Sequence, residues 1–528
     1  MATGSFTGLY LNSNFLAVMP ILPTIDWKRT ETWLVSLLVF IGFGFSFALL
    51  PASSIWLDEA FSIKLASESF SSAIASLRTD NGSPLFYFLL HGWIRLFGTG
   101  EYVCTLMTVL TTCASLLATV LFLREVFTDP RIRITGIALT ALSTACLHHA
   151  TNLRSYSLLI LLSVLSYLFF YRAIRLGRRR EWVLFALASI LGLYEHPLYA
   201  FVPMAQFLLL CLFYRDRFKA GLLAFVATGI AYLPWFPVLL AQAQGYQGGT
   251  TPDTIPRLST YGGPAHAYWL SISSRMWNFS AFDMLLMWTA PLAVLFIVYL
   301  LWRSRCRTLD DRHARDFLLA HLFSVGLMVA ISLVRPIFWL GKFDLIGLPL
   351  VCGMIGYAVS RLPRSSLVIT AFLAVNLAGT LRYAYWRITG HLDSQREVIE
   401  QLAPKLKADD VLIETGLSHF EVEYYLGQLG VKTGLRCVFP EAQRDRPACL
   451  DQDRLVREHD AVTAEAAALM QRLKAGNGGF IYVFHSSYEG LGPLYKQLNA
   501  AFALERVIPV RCHPWGPTYT QVDVFRRH

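Results

Sequence analysis

The sequence predicts a mainly α-helical polytopic membrane protein with a small α/β domain at its C-terminal end. Of its 528 residues, 55% are hydrophobic and only 16% are charged, which is more apolar surface than a water-soluble chain of this length buries. Apolar segments alternate with short basic clusters over residues 31–387, as in membrane helices joined by loops. From about residue 388 onward, short β-prone runs alternate with amphipathic helical runs, a pattern typical of an α/β domain.

The apolar segments of residues 31–387 are long enough to cross a bilayer as helices. A membrane helix needs roughly 20 predominantly apolar residues, and residues 32–50 are apolar and carry no charge. We therefore expect about eleven spans. Their predicted ranges are 31–50, 102–123, 134–150, 156–174, 182–195, 197–214, 219–240, 282–302, 316–334, 344–360 and 365–385.

The basic residues predict the orientation of these spans. The net charge of +10 is divided among short clusters and forms no continuous stripe, so we exclude a nucleic-acid partner. Lys and Arg concentrate in alternate loops, as they do on the cytoplasmic side of inner-membrane proteins. Residues 1–30 are therefore expected in the cytoplasm. The chain is thus expected to be a multi-pass protein of the cell inner (plasma) membrane. An odd number of spans then places its C-terminal domain on the outer, extracytoplasmic side of that membrane.

The first outer loop, residues 51–101, is predicted to be structured. Residues 60–78 have the pattern of a short helix. Residues 84–97 are too short to span a bilayer, and they carry His91 and Arg95 among aromatic residues at helical spacing. That combination is typical of a helix lying in the membrane interface.

The C-terminal domain, residues 388–528, is predicted to fold as its own α/β unit. Its length of roughly 140 residues is enough to bury a core. Cys437 and Cys449 are close in sequence within it, and whether they form a disulfide is left open. The predicted strands are 410–415, 479–485 and 503–510, and the predicted helices are SHFEVEYYL, AVTAEAAALMQRL and LGPLYKQLNAAF.

An acidic pair, Asp58 and Glu59 in the run WLDEAFS, follows the first apolar segment at the membrane rim. A carboxylate in this position can accept a proton from a substrate whose head group lies at the rim, so the pair is the candidate catalytic site. The alternative is that the pair caps the N-terminus of the next helix, where acidic side chains are favoured. Both interpretations stay open here.

Basic residues follow in other loops that are predicted to face the same side. Arg154 lies in HATNLRSYS, and Arg335 and Lys342 lie in VRPIFWLGKFD. Cations at the rim of a helical bundle can bind a phosphate and stabilise the charge that develops on it. The alternative is that each side chain extends toward lipid head groups.

Three further residues in these loops are candidates for substrate binding. They are His91 in the interface helix, Tyr156 just after Arg154, and His196 in LYEHPLYA. For His196 the alternative is a helix cap. The chain contains no phosphate-binding loop and no dinucleotide fingerprint, so it is not expected to consume a nucleotide.

The ordered motifs of residues 30–385 resemble a known enzyme family. The first motif, DEAFS, follows the first span. The others are, in chain order, SPLFYFLLHGWIRLFG in the first loop, LRSYSLL, LGLYEHPLYAF and GKFDLIGLPL. This order is similar to that of the polytopic glycosyltransferases of the GT-C class, in particular the family 39 relatives of protein mannosyltransferases and aminoarabinose lipid A transferases. In many of these relatives Arg stands at the position of Lys342.

The resemblance implies a GT-C-like helical bundle and an inverting transfer of a hexosyl or pentosyl group from a polyprenyl phosphate to a hydroxyl acceptor on a lipid, glycan or protein. It implies Asp58 as the base, Glu59 as the residue that orients it or shapes the acceptor pocket, and Arg154, Lys342 and Arg335 as phosphate ligands. No cofactor is implied with certainty, and whether a divalent cation assists is left open.

Two other function classes compete with the enzyme. A polytopic lipid or solute transporter would also have many spans and charges, but such proteins usually show paired halves with broken helices, and no internal repeat is evident. A noncatalytic receptor or assembly factor would use the C-terminal domain. The position of the charges at one rim favours the glycosyltransferase.

Overall fold

The structure, a computed structural model, describes residues 27–52, 54–78, 82–245, 256–276, 289–389, 396–431, 434–444, 458–476, 478–486, 492–509 and 520–527. The α-helices before the C-terminal domain are α1 Trp27–Ala48, α2 Leu57–Ser67, α3 Phe70–Leu77, α4 Pro84–Phe97, α5 Glu101–Val126, α6 Pro130–Ala141, α7 Thr144–Ala150, α8 Tyr156–Leu176, α9 Arg179–Glu195, α10 Phe201–Phe213, α11 Phe218–Tyr232, α12 Phe236–Gly245, α13 Pro264–Met276, α14 Thr289–Ser304, α15 Leu309–His321, α16 Leu327–Ile331, α17 Leu348–Ser360 and α18 Ser365–Ile388.

Among the described residues, seven helical segments are long and apolar enough to cross a membrane, and each overlaps a predicted span. The number of eleven spans is not confirmed. The predicted spans 197–214 and 282–302 correspond to shorter apolar helices, Pro197–Phe213 and Thr289–Ser304. The seven segments are Thr30–Ala52, Glu101–Val126, Tyr156–Leu176, Arg215–Gln242, Leu309–Ile331, Phe343–Ser360 and Ser365–Ile388.

The predicted span 134–150 is divided between α6 and α7. The chain leaves helical geometry at Ser143, whose hydroxyl accepts a hydrogen bond from the backbone N–H of Cys146 at 3.3 Å. A serine in this position caps a new helix and satisfies one of its unpaired amides. The apolar pattern alone did not reveal this interruption.

The first loop is folded into α2, α3 and α4. The single helix predicted over 60–78 is interrupted at Ser69, which caps α3 by accepting from the backbone N–H of Ser72 at 3.3 Å. The helix predicted over 84–97 is confirmed as α4, which has Pro84 at its first position. Proline suits this position because its missing N–H would have no partner within the helix.

The C-terminal domain contains a five-stranded sheet of order β2-β1-β3-β5-β4, in which β1, β2 and β3 are parallel and β4 and β5 are antiparallel to their neighbours. The three predicted strands are confirmed as β1, β3 and β4. The described elements are α19 Arg396–Leu402, β1 Val411–Thr415, α20 His419–Gln428, β2 Leu435–Phe439, α21 His459–Ala475, β3 Phe480–Ser486, α22 Gly492–Ala501, β4 Ala503–Pro509 and β5 Thr520–Arg526.

Strands β2 and β5 were not predicted from the sequence because each contains a charged residue within a short apolar run. In β2, Arg436 donates to the carboxylate of Glu414 on β1 at 2.8 and 2.9 Å. In β5, the fully buried Asp523 accepts from Tyr495 at 2.7 Å and lies 2.8 Å from the ring nitrogen of His485. Cross-strand and tertiary partners that the local pattern does not show make these charges acceptable. Cys449 lies outside the described residues, so its pairing with Cys437 stays untested.

The C-terminal domain and the first loop share one hydrophobic core, to which α2, α4, α20 and the sheet all contribute. The rings of Phe61 and Phe420 meet edge to face at 5.2 Å. The hydroxyl of Tyr425 accepts from the backbone N–H of Ile55 at 2.8 Å and donates to the carbonyl of Ile55 at 3.2 Å. Helix α20 is therefore fastened to the segment immediately before α2.

The two ends of the helical bundle carry different structures. We call the end that holds α2, α4 and the C-terminal domain the domain end, and the other the far end. Helix α5 runs between them over 26 residues, roughly 39 Å at the rise of an α-helix. At the far end, Asp310 accepts from the amide and hydroxyl of Thr128 at 2.6 and 2.9 Å and from the amide of Asp129 at 3.2 Å.

Candidate functional site

Glu59 is buried and fixes the N-terminus of α2. Its side chain is 2% exposed. One carboxylate oxygen accepts from the backbone N–H of Trp56 at 3.1 Å, and the other accepts from that of Leu153 at 2.5 Å. The helix-cap alternative therefore describes Glu59, and the same carboxylate also ties α2 to the segment that carries Arg154.

The environment of Glu59 disfavours its charged form. Burial raises the pKa of this carboxyl to about 8, against the opposing effect of the backbone N–H groups of Leu153 and Trp56 and the charges of Arg387 and Arg154. A group that is held by backbone amides and removed from water is suited to positioning its neighbours.

Asp58 is turned toward Arg154. The closest approach of the two charged groups is 3.8 Å, between Arg154 Nη2 and Asp58 Oδ2. Arg154 Nη1 donates to the Asp58 carbonyl and to the Ser62 hydroxyl, each at 3.3 Å. The guanidinium is thus anchored to the backbone and hydroxyl of α2, and its distance to the Asp58 carboxylate exceeds that of a charge-assisted hydrogen bond. About a quarter of each side chain is exposed, so a ligand can reach both.

Lys342 is presented by a tight turn between α16 and α17. Gly341 has a φ of +80°, a backbone conformation that glycine adopts without strain. Its carbonyl accepts from His149 Nε2 at 2.7 Å, and its N–H donates to Asp344 Oδ1 at 2.6 Å. Because both polar groups of Gly341 are held, the position of the next residue, Lys342, is well determined.

The ammonium of Lys342 lies over aromatic rings and close to the other two charges. It is 3.6 Å from the ring centroid of Trp339 and 6.0 Å from that of Tyr156. Burial lowers the pKa of Lys342 to about 8, an effect that the charge of Asp58 opposes and that of Arg154 reinforces. Asp58, Arg154 and Lys342, which are far apart in sequence, therefore share one electrostatic environment.

His196 and Tyr156 lie at the edge of this group. His196 Nδ1 accepts from the backbone N–H of Leu198 at 3.2 Å and so caps the short helix that follows, as its alternative interpretation predicted. Its ring stacks on that of Phe343 at 4.8 Å. Burial, followed by the charge of Arg154, lowers the pKa of His196 to about 4, so the ring is neutral at physiological pH. Tyr156 is 7% exposed and packs against His149.

The other two sequence-predicted residues lie elsewhere. His91 Nδ1 is 2.7 Å from the Ala66 carbonyl, and its ring lies 4.5 Å from that of Phe70. These contacts pack α4 on α2 and α3. Arg335 is exposed, and the charges recorded as acting on Lys342 are those of Asp58 and Arg154. The roles predicted for His91 and Arg335 stay predictions.

Three residues that contribute here were not chosen from the sequence. Ser62 is one helical turn after Asp58 and accepts from Arg154, a spacing that could have been recognised. His149 holds the Lys342 turn. Arg387 acts electrostatically on Glu59, and its guanidinium donates to the Thr151 hydroxyl at 3.2 Å. Arg387 falls just beyond the predicted span 365–385, and only the fold shows that it lies near Glu59.

An apolar cavity of about 160 Å³ lies between α4, α5 and α8. Phe86, Trp93, Met107 and Leu158 are among the residues that line it. Leu158 and Ser157, which also lines it, lie in the first turn of α8, the helix that begins at Tyr156. Among the described residues, no cluster of three or more His, Cys, Asp or Glu side chains could hold a metal ion.

Comparison with solved structures identifies the fold. No family model and no curated protein matches the sequence. Among solved structures, the chain is similar to ArnT from Cupriavidus metallidurans in the apo state, with a TM-score of 0.58 and 14% identity over 95% of this chain and 98% of that one. It is also similar to the same protein bound to undecaprenyl phosphate, with a TM-score of 0.55 and 13% identity over 93% and 97%. The chain therefore has the fold of ArnT.

Proposed function

We propose that this protein is an inverting membrane glycosyltransferase that moves a sugar from a polyprenyl phosphate to a hydroxyl acceptor. The observation that carries the proposal is the convergence of one carboxylate, Asp58, with two cations, Arg154 and Lys342, at the domain end of the bundle. A base beside two phosphate-binding cations is the set of groups that a direct displacement at a phosphate-linked sugar requires.

In this mechanism Asp58 accepts the proton of the acceptor hydroxyl as its oxygen attacks the anomeric carbon. The bond between that carbon and the phosphate oxygen breaks, and the electron pair leaves with the polyprenyl phosphate. Arg154 and Lys342 stabilise the negative charge that the phosphate gains. Glu59 keeps Asp58 in place through the N-terminus of α2. His196, neutral and packed on Phe343, and Tyr156 would line the sugar side of the site.

The fold and the apolar cavity support a lipid-linked donor. ArnT, whose fold this chain shares, has been captured with undecaprenyl phosphate, and the motif order of residues 30–385 resembles the GT-C class. The cavity between α4, α5 and α8 is lined largely by apolar side chains, as expected for a surface that contacts a hydrocarbon chain. The acceptor would be a lipid, glycan or protein hydroxyl.

The distribution of basic residues supports an outward-facing domain end. Arg131, Arg133 and Arg175 lie at the far end, near the ends of α5 and α8, and such clusters usually face the cytoplasm. A reporter fused after residue 528 is expected to be extracytoplasmic and one inserted near Arg179 cytoplasmic. A cytoplasmic signal from the first would place the site on the opposite side of the membrane.

The direct test is release of lipid phosphate. Purified protein would be incubated with polyprenyl phosphate hexoses and pentoses together with membrane glycolipid acceptors, and free polyprenyl phosphate would be measured. We expect sugar-dependent release that Asp58→Asn abolishes. If the protein instead moves the intact lipid across liposome membranes without cleaving it, it is a flippase and the proposal is wrong.

A further inference from the structure

A second carboxyl group, that of Glu195, lies at the domain end and takes no part in the mechanism above. It is the last residue of α9, directly before His196, whose ring is within reach of the charge of Arg154. Its side chain is 1% exposed, and within the described part of the chain neither of its oxygens has a hydrogen-bond partner. A buried carboxyl without partners is among the most costly arrangements in a folded protein.

The surroundings of Glu195 place it beside the first turn of α4. The backbone N–H of Phe86 is the polar group that acts on its carboxyl, although it does not reach hydrogen-bond geometry. The hydroxyl of Ser83, which precedes α4, is also buried without a hydrogen-bond partner in the described structure. Helix α4 has 14 residues, and the amides of its first turn have no acceptor within the helix.

Aromatic side chains surround Tyr194, the residue before Glu195 on α9. Tyr194, next to Glu195, has its ring 5.4 Å from that of Tyr232 and 6.4 Å from that of Trp235. The Tyr232 hydroxyl and the Trp235 indole N–H are likewise buried without partners among the described residues. Aromatic rings beside a small number of unpaired polar groups are typical of a ligand site, in which the rings contact the ligand and the polar groups orient it.

We propose that Glu195, together with the first turn of α4, forms a subsite that hydrogen-bonds hydroxyl groups of the transferred sugar. A hydroxyl both donates and accepts, so it can satisfy a carboxyl oxygen and an orphan backbone amide at once. The hydrocarbon chain offers neither function, and the phosphodiester of the sugar-bearing donor has no O–H to donate. The subsite deepens the proposed function and rests on it, because the sugar that it would bind is the one carried by the proposed donor. His196, the next residue in the chain, lies within reach of the charge of Arg154.

Glu181 provides a matched control on the same helix. It lies in the first turn of α9 at the far end, is 7% exposed, and has one oxygen without a partner in the described residues. If any buried, under-satisfied carboxyl on α9 affected activity through the fold, Glu181→Leu would resemble Glu195→Leu. We expect Glu181→Leu to leave donor kinetics unchanged.

The test compares stability and binding in Glu195→Leu and Glu195→Gln. Leu removes a buried polar group that has no partner, so we expect a higher midpoint of thermal unfolding in detergent together with a loss of about 10- to 100-fold in kcat/KM, the range for a hydrogen bond to a charged or buried group. Gln keeps a hydrogen-bonding group and should lose less. A lower midpoint for Leu, or unchanged kinetics, would overturn the subsite.

Two probes separate this inference from the proposed function. Thermal shifts would be measured with bare polyprenyl phosphate and with a polyprenyl phosphate hexose and pentose. Glu195→Leu should weaken only the additional shift that the sugar causes, whereas Arg154→Met should weaken both. If the wild-type protein binds the sugar-bearing lipids no better than the bare lipid, the subsite is wrong even if transfer occurs. If binding shows the Glu195 dependence but no lipid phosphate is released, the subsite stands and the transfer proposal fails.

Discussion

Asp310 and Asp311 at the far end of the bundle are held differently from Asp58 at the domain end. At the far end, Asp310 accepts three hydrogen bonds from Thr128 and Asp129, and Asp311 accepts from the Tyr357 hydroxyl at 2.7 Å. At the domain end, Asp58 and Arg154 stop at 3.8 Å. Hydrogen bonds at the far end join successive helices and loops, so their role is structural.

The difference indicates which charged groups remain available to a ligand. Charged groups whose bonds are already complete have little capacity left for a ligand. The charged ends of Asp58 and Arg154 lie 3.8 Å apart, and in the proposed mechanism they and Lys342 bind a substrate and respond to charge that develops during the reaction. Five predictions test this division, from the largest expected effect on activity to the smallest.

Asp58→Asn should have the largest effect. The amide cannot accept the acceptor proton, so we expect turnover to fall by about 100-fold or more, since general-base catalysis contributes 10² to 10⁴. The measurement is lipid phosphate release under saturating donor, with thermal unfolding as the control for folding. Near-normal turnover would mean that Asp58 is not the base.

Arg154→Met and Lys342→Met should each reduce kcat/KM by about 10- to 100-fold, because charge-assisted contacts to a phosphate contribute strongly. Methionine keeps much of the apolar length and removes only the charge. A larger change in kcat than in KM would show that the charge acts mainly on the departing phosphate. Normal kinetics in both variants would mean that these residues do not bind the donor phosphate and favour the alternative, contact with lipid head groups.

The pH dependence of donor use should report Lys342. Its pKa is lowered to about 8, so its positive charge is lost as the pH rises through that value, and we expect the donor KM to rise above about pH 8. Lys342→Arg stays charged throughout this range and should remove the rise. An unchanged pH profile in Lys342→Arg would exclude Lys342 as the titrating group.

Tyr425→Phe tests the link between the C-terminal domain and the site. The change removes the hydroxyl that bonds both backbone groups of Ile55, three residues before Asp58. We expect kcat to fall about 3- to 10-fold with little change in KM, since the misplaced group is the base. Tyr424→Phe, which removes a hydroxyl bonded to the Thr99 carbonyl at 2.9 Å, is the control. Equal losses in both variants would indicate general loosening.

Asp310→Asn should have the smallest effect on activity and a clear effect on stability. Its side-chain amide would face backbone N–H groups that now donate to a carboxylate. We expect the free energy of unfolding to fall by about 1–3 kcal/mol. Because Asp310 lies at the opposite end of the bundle from the candidate site, we expect kcat and KM to stay within about twofold of wild type. The checks are thermal unfolding and lipid phosphate release. A large kinetic defect would contradict a purely structural role for Asp310.

Much of this architecture could be predicted because apolar length and charge distribution are local properties. The seven long apolar segments, α4, and strands β1, β3 and β4 were all visible in this way. The breaks at Ser69 and Ser143 were missed because a single capping hydroxyl interrupts an otherwise continuous pattern. Strands β2 and β5 were missed because partners distant in sequence compensate their charges.

The candidate site shows the same limit. Asp58, Arg154 and Lys342 could be chosen because charges stand out next to apolar segments. The family resemblance suggested different roles for Asp58 and Glu59, but the local pattern did not show which of them is buried, because adjacent residues on a helix face different neighbours and Glu59 is held by the distant backbone N–H of Leu153. The approach of Arg387 to Glu59 and the burial of Glu195 depend entirely on tertiary packing.

The attachment of α20 to α2 also sets an order of events during biosynthesis. Ile55 and Tyr425 are 370 residues apart in the chain, so at translation rates of 5–20 residues per second roughly 20 to 70 seconds separate their synthesis. The membrane helices can insert during that time, while the segment before α2 still lacks the hydroxyl that will hold it. A chain whose C-terminal domain has not yet folded is therefore expected to be inserted with Asp58 not yet held in place, so the proposed activity would appear only after residue 425 has been made and its domain has folded.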